Sequence, residues 1–532
     1  MSTPGEQAHY DVVVVGSGFG GSVSALRLAE KGYRVLVLEK GRRLGPEDFP
    51  ETNWQLPRWL WLPALNWRGL FKMTFFRHVT IFSGVGVGGG SLVYANTLPI
   101  PPAPFFQAPS WAHLADWQAE LAPYYQTARR MLGATPVPFS TPPDDMLRDI
   151  ARDLGREQDH HPTWNAVYFG APGQSVDDPY FDGQGPPRTG CVKCGGCMLG
   201  CRHGAKNTLD KNYLWLAERL GVEILPDTEV TAVRPRPEGG YAVEAETALG
   251  WRRRARRAWT ADRVVLSAGV LGTVDLLTRM KADPRGLPAL SARTGDQVRT
   301  NSEVLMAVLS DRRDVDWSKG VAIGSILELS DSSHIEPVRY SAGSNFFKTM
   351  VSPHSPGDTL PQRLTRALGF VLRHPVRWVK AVVHPDMNRF GQILLYMRSS
   401  EGTLRLSQGR SLMTGWARGL MSTLSSGEAP RAAIPEATEL GQRFAEKARG
   451  TVVSMATETL FGIPTTAHIL GGACMGADAS EGVIGPDHQV HGYPGLYVID
   501  GAAVSANPGV NPSLTITALA ERAMGLIPVK PT

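Results

Sequence analysis

Residues 10–41, YDVVVVGSGFGGSVSALRLAEKGYRVLVLEKG, constrain the fold of this chain more than any other segment. The apolar run at 12–15 is typical of a strand that is buried on both faces. A glycine-rich turn and a helical pattern follow it, and a second apolar run at 35–38 completes the segment. Strand, turn, helix and strand in this order predict a βαβ unit, the start of a parallel sheet with helices packed against it.

The turn of this unit carries Gly16, Gly18 and Gly21 in G-x-G-x-x-G spacing. In such a turn the first glycine permits the tight bend, the second lets the backbone approach a pyrophosphate, and the third lets the helix pack on the strand. Free N–H groups and the dipole at the helix N-terminus attract the phosphates. Glu39 ends the second strand about 20 residues further on, where an acid binds ribose hydroxyls and disfavours a 2′-phosphate. The segment predicts a dinucleotide site and leaves NAD and FAD open.

Two more segments carry features of a cofactor site. FSGVGVGGGSLVYANT at 82–97 is rich in glycine, and such a backbone can approach a flat cofactor closely. GLYVIDGAAVSANPGVNPSLTITALAER at 495–522 predicts a strand that ends at Asp500, then a loop, and then a helix that follows Asn511 and Pro512.

These three segments, with VVLSAGVLGTVDLLTR at 264–279 and TAHILGGACMG at 466–476, resemble the glucose–methanol–choline (GMC) family of FAD oxidoreductases. The resemblance covers nearly the whole chain and is greatest to bacterial cholesterol oxidases. It implies an α/β composite, in which a Rossmann-like FAD-binding domain joins a substrate-binding domain built on a mostly antiparallel sheet. The expected FAD-binding domain is discontinuous, at 8–50, 78–100, 190–310 and 465–532. The substrate-binding domain and its lid take 310–465, with 51–77 and 101–189.

The resemblance also implies FAD as the cofactor, bound without a covalent link. His78, the histidine nearest to the glycine loop, precedes the loop rather than lying within it, so attachment through a histidine is not expected. The residues expected to contact FAD are Gly16, Gly18, Gly21, Glu39, Gly84, Gly88, Gly89, Gly90, Ser91, Asn96, Ala268, Asp500, Gly501, Asn511 and Pro512.

In the family, the histidine of an H-x-x-G-G segment and the asparagine of an N-P pair face the flavin; here these are His468 and Asn511. The implied reaction removes the hydroxyl proton of an alcohol, which His468 positions and helps accept, and passes the carbinol hydride to flavin N5. Asn511 would bind the substrate oxygen or the reduced flavin. Cholesterol oxidases also use a glutamate that moves a proton when the steroid double bond shifts, and Glu336 is the candidate. A surface ion pair of Glu336 with Arg339 is the alternative.

The implied substrate is a hydrophobic alcohol, with a 3β-hydroxysteroid as the first choice. A long-chain fatty alcohol is the second, because CGGCMLGCRHGAKNT at 194–208 also resembles fatty alcohol oxidases. A lyase acting on fatty acids and a non-catalytic flavin carrier are further alternatives, and the pair His468 and Asn511 favours alcohol chemistry over both. Either O2 or another acceptor takes the electrons, and the oligomeric state is not indicated. In cholesterol oxidases the region matching 53–76 forms the lid.

Composition excludes other functions. The chain has 532 residues, of which 42% are apolar and 20% charged, with a net charge of +5; this argues against a dedicated nucleic-acid binder.

MSTPGEQAHYDVVVVG lacks the basic and apolar regions of a signal peptide, and no apolar run reaches the roughly 20 residues of a membrane-spanning helix. A cytoplasmic protein is expected. The basic amphipathic pattern at 360–383 is compatible with peripheral membrane contact, although packing on the core is the favoured interpretation.

Four of the five cysteines, Cys191, Cys194, Cys197 and Cys201, follow the C-x2-C-x2-C-x3-C spacing of bacterial ferredoxins. This spacing, with glycines around it, predicts a loop that can hold a [4Fe–4S] cluster. Against the cluster, no proline follows Cys201, and the chain lacks a second such run. Zinc and reduced structural thiols therefore stay open beside it, whereas disulfides are disfavoured in the cytoplasm.

Overall fold

The computed structural model describes residues 8–250, 254–400, 402–411 and 414–531. Residues 1–7, on which the expectation about a signal peptide partly rests, lie outside the described residues. In chain order the strands are β1 (His9–Val15), β2 (Val35–Leu38), β3 (Trp61–Leu62), β4 (Trp67–Arg68), β5 (Phe71–Phe75), β6 (Thr80–Gly84), β7 (Thr135–Pro136), β8 (His160–Pro162), β9 (Trp164–Asn165), β10 (Ser175–Val176), β11 (Arg188–Thr189), β12 (Glu223–Leu225), β13 (Thr228–Pro235), β14 (Tyr241–Ala248), β15 (Arg254–Leu266), β16 (Val304–Ser310), β17 (Ser325–Ser330), β18 (Ser333–Val338), β19 (Val351–Pro353), β20 (Gly391–Arg398), β21 (Thr403–Gly409), β22 (Gly419–Ser426), β23 (Gly450–Met455), β24 (Thr465–Thr466) and β25 (Leu496–Val498). The α-helices are α1 (Phe19–Glu30), α2 (Leu56–Trp59), α3 (Ala103–Phe106), α4 (Trp117–Met131), α5 (Pro142–Asp153), α6 (Tyr213–Arg219), α7 (Gly269–Ala282), α8 (Leu360–Arg373), α9 (Pro375–Val382), α10 (Pro435–Ala448), α11 (Ala456–Phe461) and α12 (Ser513–Leu526).

The N-terminal segment forms the predicted βαβ unit. β1 and β2 lie parallel, with Val12 opposite Val35, and β2 is buried along its whole length, as a strand covered on both faces requires. The turn after β1 needs glycine, because Gly16 has a φ of +95° and a Cβ there would lie 2.3 Å from the carbonyl oxygen of Ser267.

The first sheet grows from this unit in the order β12-β2-β1-β15-β14-β13, and β25 also pairs with β15. The strands β12, β2, β1, β15 and β25 run parallel, whereas β13, β14 and β15 form an antiparallel meander. The C-terminal helix α12 packs against α1 and α4. Glu521 of α12 accepts hydrogen bonds from Arg27 of α1 and from Tyr213 of α6. The last helix of the chain thus completes the layer that covers the first strands.

The second sheet is antiparallel throughout, in the order β19-β23-β16-β20-β18-β17-β8. Side chains along β20 point alternately to the two faces of this sheet, and each face has different neighbours. Leu394 and Tyr396 belong to the buried cluster that the sheet forms with α5 and α10, whereas Ile393 and Leu395 line a cavity on the other face. The expected α/β composite with a mostly antiparallel second sheet is confirmed.

The β21–β22 hairpin packs on the first core rather than joining the second sheet. Leu404 and Leu406 belong to the buried cluster of the first sheet, and β21 contacts α7. The domain boundaries remain a proposal, in which residues 310–465 contain most strands of the second sheet together with this hairpin.

The helices α8 and α9 lie on the outside of the second sheet, where they contact β19 and β23. Arg363 is the buried residue of α8 and Ala381 that of α9, while the leucines and most valines of both helices are exposed. As the favoured interpretation expects, segment 360–383 lies at the surface and packs on the core through Trp378 and Ala381, but most of its leucines and valines stay exposed. Within the described ranges, the chain has no helix with both the length and the apolar character needed to cross a membrane.

Candidate active site

A cavity of about 720 Å³ lies between the two sheets. Residues of the first sheet and its loops, such as Gly18 and Glu39, line one part, and apolar side chains of the second sheet, such as Leu305, line the other. His468 and Asn511 both line this cavity. The structure thus brings the predicted dinucleotide turn and two of the three predicted catalytic residues, His468 and Asn511, to one space.

The turn at the start of α1 leaves room at one position only among its glycines. A Cβ at Gly20 would lie 1.7 Å from the carbonyl oxygen of Ile499, and one at Gly21 would lie 2.0 Å from that of Gly16. These glycines therefore serve close packing. A Cβ at Gly18 would meet nothing within 4 Å, and no side chain caps the helix there. Open space beside free N–H groups at a helix N-terminus is what a pyrophosphate requires.

The predicted glycine loop packs directly on this turn. A Cβ at Gly89 would lie 2.7 Å from the Cα of Gly18, and one at Gly84 would lie 2.6 Å from the carbonyl oxygen of Gly89. Gly84, Gly89 and Gly90 line the cavity. The two glycine-rich segments, far apart in sequence, thus form one backbone surface.

Four of the expected cofactor contacts lie behind the cavity wall instead: Gly21, Gly88, Ser91 and Asn96. The hydroxyl of Ser91 donates to the carbonyl of Gly88 at 2.7 Å and accepts the backbone N–H of Leu209 at 3.0 Å. Ser91 therefore holds the glycine loop in shape from behind.

Glu39 lines the cavity from the end of β2, and its carboxylate is held by the backbone. One oxygen accepts the N–H and hydroxyl of Ser17 at 3.1 and 2.8 Å, and the other accepts the N–H of Gly41 at 2.8 Å. A carboxylate offers about four acceptor positions, so hydroxyl groups of a ribose can still bind to it.

The remaining expected contacts line the cavity as well: Ala268, Asp500, Gly501 and Pro512. Ala268 and Pro512 precede α7 and α12, so that two more helix N-termini lie at the cavity wall. Asp500 accepts the hydroxyl of Thr273 at 2.6 Å and the N–H of Ala502 at 2.8 Å. Burial raises the pKa of Asp500 to about 6, against these hydrogen bonds, which lower it.

His468 and Asn511 lie side by side, with 3.5 Å between Nε2 of His468 and Nδ2 of Asn511. The segment after His468 packs tightly, because a Cβ at Gly471 would lie 2.2 Å from the carbonyl oxygen of Gln297. Among the described residues Oδ1 of Asn511 has no hydrogen-bond partner, although it is buried. Such an atom at a cavity wall is available to a ligand.

Glu303 is a functional candidate that the sequence analysis missed. It precedes β16, its side chain is buried, and its Oε1 contacts Nδ1 of His468. Glu303 also lines the cavity. The available signal was an acidic residue directly before the apolar strand VLMAVL, where a buried charge requires a partner. The identity of that partner depends on the fold.

Glu336 is buried within the second sheet, on the same face of β18 as Val338, which lines the cavity. Arg339 instead approaches Asp144 at 3.6 Å, so the alternative of a surface ion pair with Glu336 is not what the structure has. His334 Nε2 lies 3.7 Å from Glu336. Burial raises the pKa of Glu336 to about 8, the Glu303 carboxylate acts in the same direction, and the nearby Asn511 side chain lowers it.

The apolar part of the cavity is aromatic on one side. Trp59 stacks on Phe71 at 4.8 Å between ring centroids, and Phe82 lies 5.6 Å from Phe347. Phe71, Phe82 and Phe347 line the cavity, and so does Tyr340. Part of the expected lid, segment 53–76, thus forms a wall of the cavity.

Comparison with known proteins identifies the family. A model of the GMC oxidoreductase family matches residues 399–520, and a model of NAD(P)-binding Rossmann-like domains matches residues 14–54. A cholesterol oxidase of Mycobacterium tuberculosis is 45% identical over 98% of this chain and 91% of its own length. This chain is a GMC oxidoreductase. A cholesterol oxidase of Acinetobacter baumannii is 41% identical over 98% of the chain and 95% of its own length.

Solved structures of other GMC-like oxidases have the same fold. Pyridoxine 4-oxidase from Mesorbium loti matches with a TM-score of 0.60 and 16% identity, over 97% of this chain and 98% of that chain. Formate oxidase of Aspergillus oryzae matches with a TM-score of 0.62 and 15% identity, over 98% of both chains. A long-chain-alcohol oxidase of Arabidopsis thaliana is 30% identical over only 40% of this chain and 25% of its own length.

FAD, the cofactor of GMC oxidoreductases, fits the residues on this cavity. The open space at Gly18 and the uncapped start of α1 suit a pyrophosphate. Glu39 suits a ribose. The unpartnered Oδ1 of Asn511 and the N-terminus of α12 suit the polar edge of a flavin. The expectation of an FAD-dependent alcohol oxidoreductase is confirmed at the level of the family.

The [4Fe–4S] cluster that the spacing of the four clustered cysteines suggests has no support in the structure. In the described part of the chain, no three His, Cys, Asp or Glu side chains are arranged to hold a metal ion. All four are free thiols, and three of them, Cys191, Cys197 and Cys201, belong to or pack against an apolar cluster that includes Val321 and Ala322. Burial raises the pKa of Cys191 to about 11 and that of Cys197 to about 12, so these groups stay protonated at neutral pH.

The cysteine segment instead joins parts of the cavity wall. Gly195 donates its N–H to the carbonyl of Gly320 at 3.0 Å. The buried ammonium of Lys206 donates to the carbonyls of Leu92, Tyr94 and Cys197 at 2.8 to 3.1 Å. The loop is thus tied both to the second sheet's connections and to the glycine loop.

Proposed function

We propose that this chain oxidises the 3β-hydroxyl group of a steroid to a ketone, with FAD as cofactor. The observation that carries the proposal is that His468 and Asn511 meet in one cavity that joins a dinucleotide end to an apolar, aromatic-lined end. Such a wall suits a flat apolar ring system with a single polar group. The two cholesterol oxidases at 45% and 41% identity support the same substrate class.

His468 is proposed as the base. When bound, FAD supplies the acceptor for the carbinol hydride. The contact of Glu303 with Nδ1 of His468 favours the tautomer in which Nδ1 carries the proton and Nε2 is free to accept one. Nε2 then takes the hydroxyl proton of the substrate, while the side chain of Asn511 binds the substrate oxygen beside it.

Glu303 acts through His468. Its buried carboxylate stabilises the imidazolium that forms when Nε2 accepts the proton, as the acid of a catalytic triad does. It also fixes the ring so that Nε2, and not Nδ1, is directed toward Asn511. We therefore propose Glu303 as a positioning residue and His468 as the catalytic one.

Glu336 is proposed to move the proton when the steroid double bond shifts into conjugation with the new ketone. A buried carboxyl with a pKa of about 8 is a stronger base than an exposed one, once it is ionised. Its oxygens have no hydrogen-bond partner within the geometric limits among the described residues. Glu336 does not itself line the cavity, but the side chain of Asn511, which does, acts on its carboxyl group.

FAD is proposed to bind without a covalent link. His78 does not line the cavity, and its Nδ1 lies 2.9 Å from the hydroxyl of Ser422. We further propose O2 as the electron acceptor, because the relatives at 45% and 41% identity are named oxidases. A cytoplasmic location and reduced structural thiols at the cysteine loop complete the proposal.

Anaerobic mixing of the holoenzyme with candidate alcohols tests this function. A 3β-hydroxysteroid should bleach the visible flavin absorbance, its 3α-epimer should do so far more slowly, and admission of air should restore the colour with formation of hydrogen peroxide. Bleaching by a long-chain primary alcohol but not by the steroid would transfer the assignment to fatty alcohols. No bleaching by any alcohol would overturn alcohol chemistry.

A further inference from the structure

The helix pair α8–α9 carries exposed apolar side chains along both of its helices. Leu368 and Leu372 have 59% and 71% of their surface exposed. The leucines recur every four residues along α8, so they share one side of the helix. We define the α8–α9 face by its exposed apolar side chains, Leu360, Leu364, Leu368, Leu372, Val376, Val379, Val382 and Val383.

The helices are anchored on their opposite side, so this exposure is a stable feature of the fold. Arg363 reaches inward and donates to the carbonyls of Thr459 at 2.8 Å and Gly357 at 3.1 Å. Trp378 and Ala381 pack into a buried cluster that includes Val453. Few inward contacts thus hold the pair in place, while its most apolar side faces outward.

The charged side chains that segment 360–383 itself carries have one sign. Segment 360–383 contains no Asp or Glu, and Arg366, Arg373, Arg377 and Lys380 are exposed on it. Lys380 pairs with Asp311 at 3.0 Å, whereas Arg373 and Arg377 make no ion pair with any described residue. A helix that lies in the interface of an anionic membrane typically has an apolar stripe, basic residues beside it and few acidic residues.

The position of the face relative to the cavity supports the same partner. The cluster that receives Trp378 and Ala381 also contains Ala307 and Met387, and both of these line the cavity. The neighbouring helix α11, which contacts α8, exposes Phe461 by 66%. The α8–α9 face therefore lies outside the wall that encloses the apolar part of the cavity.

We propose that the α8–α9 face docks this enzyme on the surface of an anionic lipid bilayer. The inference rests on the proposed function in one respect: an enzyme whose substrate is a lipid gains access to it by binding to a membrane. A second copy of the chain is the less suitable occupant, because a two-fold interface brings the same patch onto itself. Arg373 and Arg377 would then face like charges without an acidic partner in the segment.

Co-sedimentation of the holoenzyme with vesicles tests the proposal. Vesicles of phosphatidylcholine mixed with phosphatidylserine should bind the enzyme, and vesicles of phosphatidylcholine alone should bind it much less. The double variant Leu364→Gln with Leu368→Gln should weaken binding by about tenfold for each leucine. The double variant Arg373→Gln with Arg377→Gln should weaken binding to the mixed vesicles by about fivefold for each arginine and reduce the dependence on salt. Leu220→Gln, which alters a leucine of similar exposure (54%) at the end of α6, is the matched control and should bind as the wild type does.

Flavin content and turnover of a steroid dispersed in detergent monitor the fold and the proposed function separately, and both should be unchanged in all variants. Equal binding to the two vesicle types, or wild-type binding by the leucine variant, would overturn the proposal. So would a concentration-dependent dimer that the leucine substitutions dissociate, because the face would then belong to a second copy. Vesicle binding without steroid turnover would leave the docking intact and refute only the substrate.

Discussion

Replacing Glu303 by Gln tests the acid–base machinery most directly, because it removes one negative charge and nearly preserves the shape. The carboxylate contacts Nδ1 of His468 and is almost fully buried, so solvent screens it little. A hydrogen bond to a charged group contributes about 1.5–3 kcal/mol and a neutral one about 0.5–1.5 kcal/mol. The difference, about 1–2 kcal/mol, corresponds to a chemical step that is about 5- to 30-fold slower.

Stopped-flow measurement of flavin reduction under anaerobic conditions gives this rate without interference from reoxidation. The KM for the alcohol should change little, because Glu303 acts on His468 rather than on the substrate. Glu303→Asp should recover part of the rate.

Glu458→Gln is the matched control. Glu458 is also a buried carboxyl group, but it lies on α11 and does not line the cavity. Its variant should reduce flavin at the wild-type rate. If Glu303→Gln reduced flavin as fast as the wild type, the proposed pairing of Glu303 with His468 would have no part in the reaction.

His468→Ala and Asn511→Leu should each slow flavin reduction by about 10²–10⁴-fold while FAD stays bound; a wild-type rate in either would contradict the site. Glu336→Gln should impair double-bond isomerisation more than alcohol oxidation, and equal losses would refute that separate role. In the folded state the pKa of Glu336 is about 8, above its ordinary value of 4.5, so its contribution to the free energy of unfolding is present below 4.5 and lost as pH rises to 8. Denaturant titrations across this range should show a smaller decline for Glu336→Gln. Glu39→Ala should weaken FAD binding by about 1.5–3 kcal/mol in a cofactor titration, and an unchanged affinity would remove its role. Iron and acid-labile sulfide should be near zero in anaerobically purified protein that retains FAD, and stoichiometric amounts would restore the cluster.

Much of the part of the cavity that suits a dinucleotide could be predicted from the sequence, because its key residues lie close together along the chain. The turn at Gly16, Gly18 and Gly21 and the acid at Glu39 lie within a single βαβ unit, where spacing along the chain determines spacing in the fold. The resemblance to a family added His468 and Asn511, whose roles stay predictions although the structure brings them together.

The positions that sequence reasoning missed depend on contacts between distant segments. Glu303 and His468 are 165 positions apart, and their contact follows from the packing of two sheets. Ser91 is among the residues expected to contact FAD; in the structure it does not line the cavity, and its hydroxyl accepts the N–H of Leu209. The spacing of the cysteines is that of a cluster loop, but spacing does not specify where the side chains point, and no three His, Cys, Asp or Glu side chains among the described residues are arranged to hold a metal ion.

The packing of α12 against α1 has a consequence for synthesis on the ribosome. α1 is among the first helices to emerge, and its partner Glu521 emerges almost at the end. β25, which pairs with β15, also belongs to the last part of the chain. The nucleotide-binding unit therefore cannot close before β25 and α12 have been made, and until then part of its apolar layer has no covering partner. In a fusion that ends this chain at residue 490, limited proteolysis should cleave the nucleotide-binding unit readily. In the full-length chain, the same unit should resist cleavage.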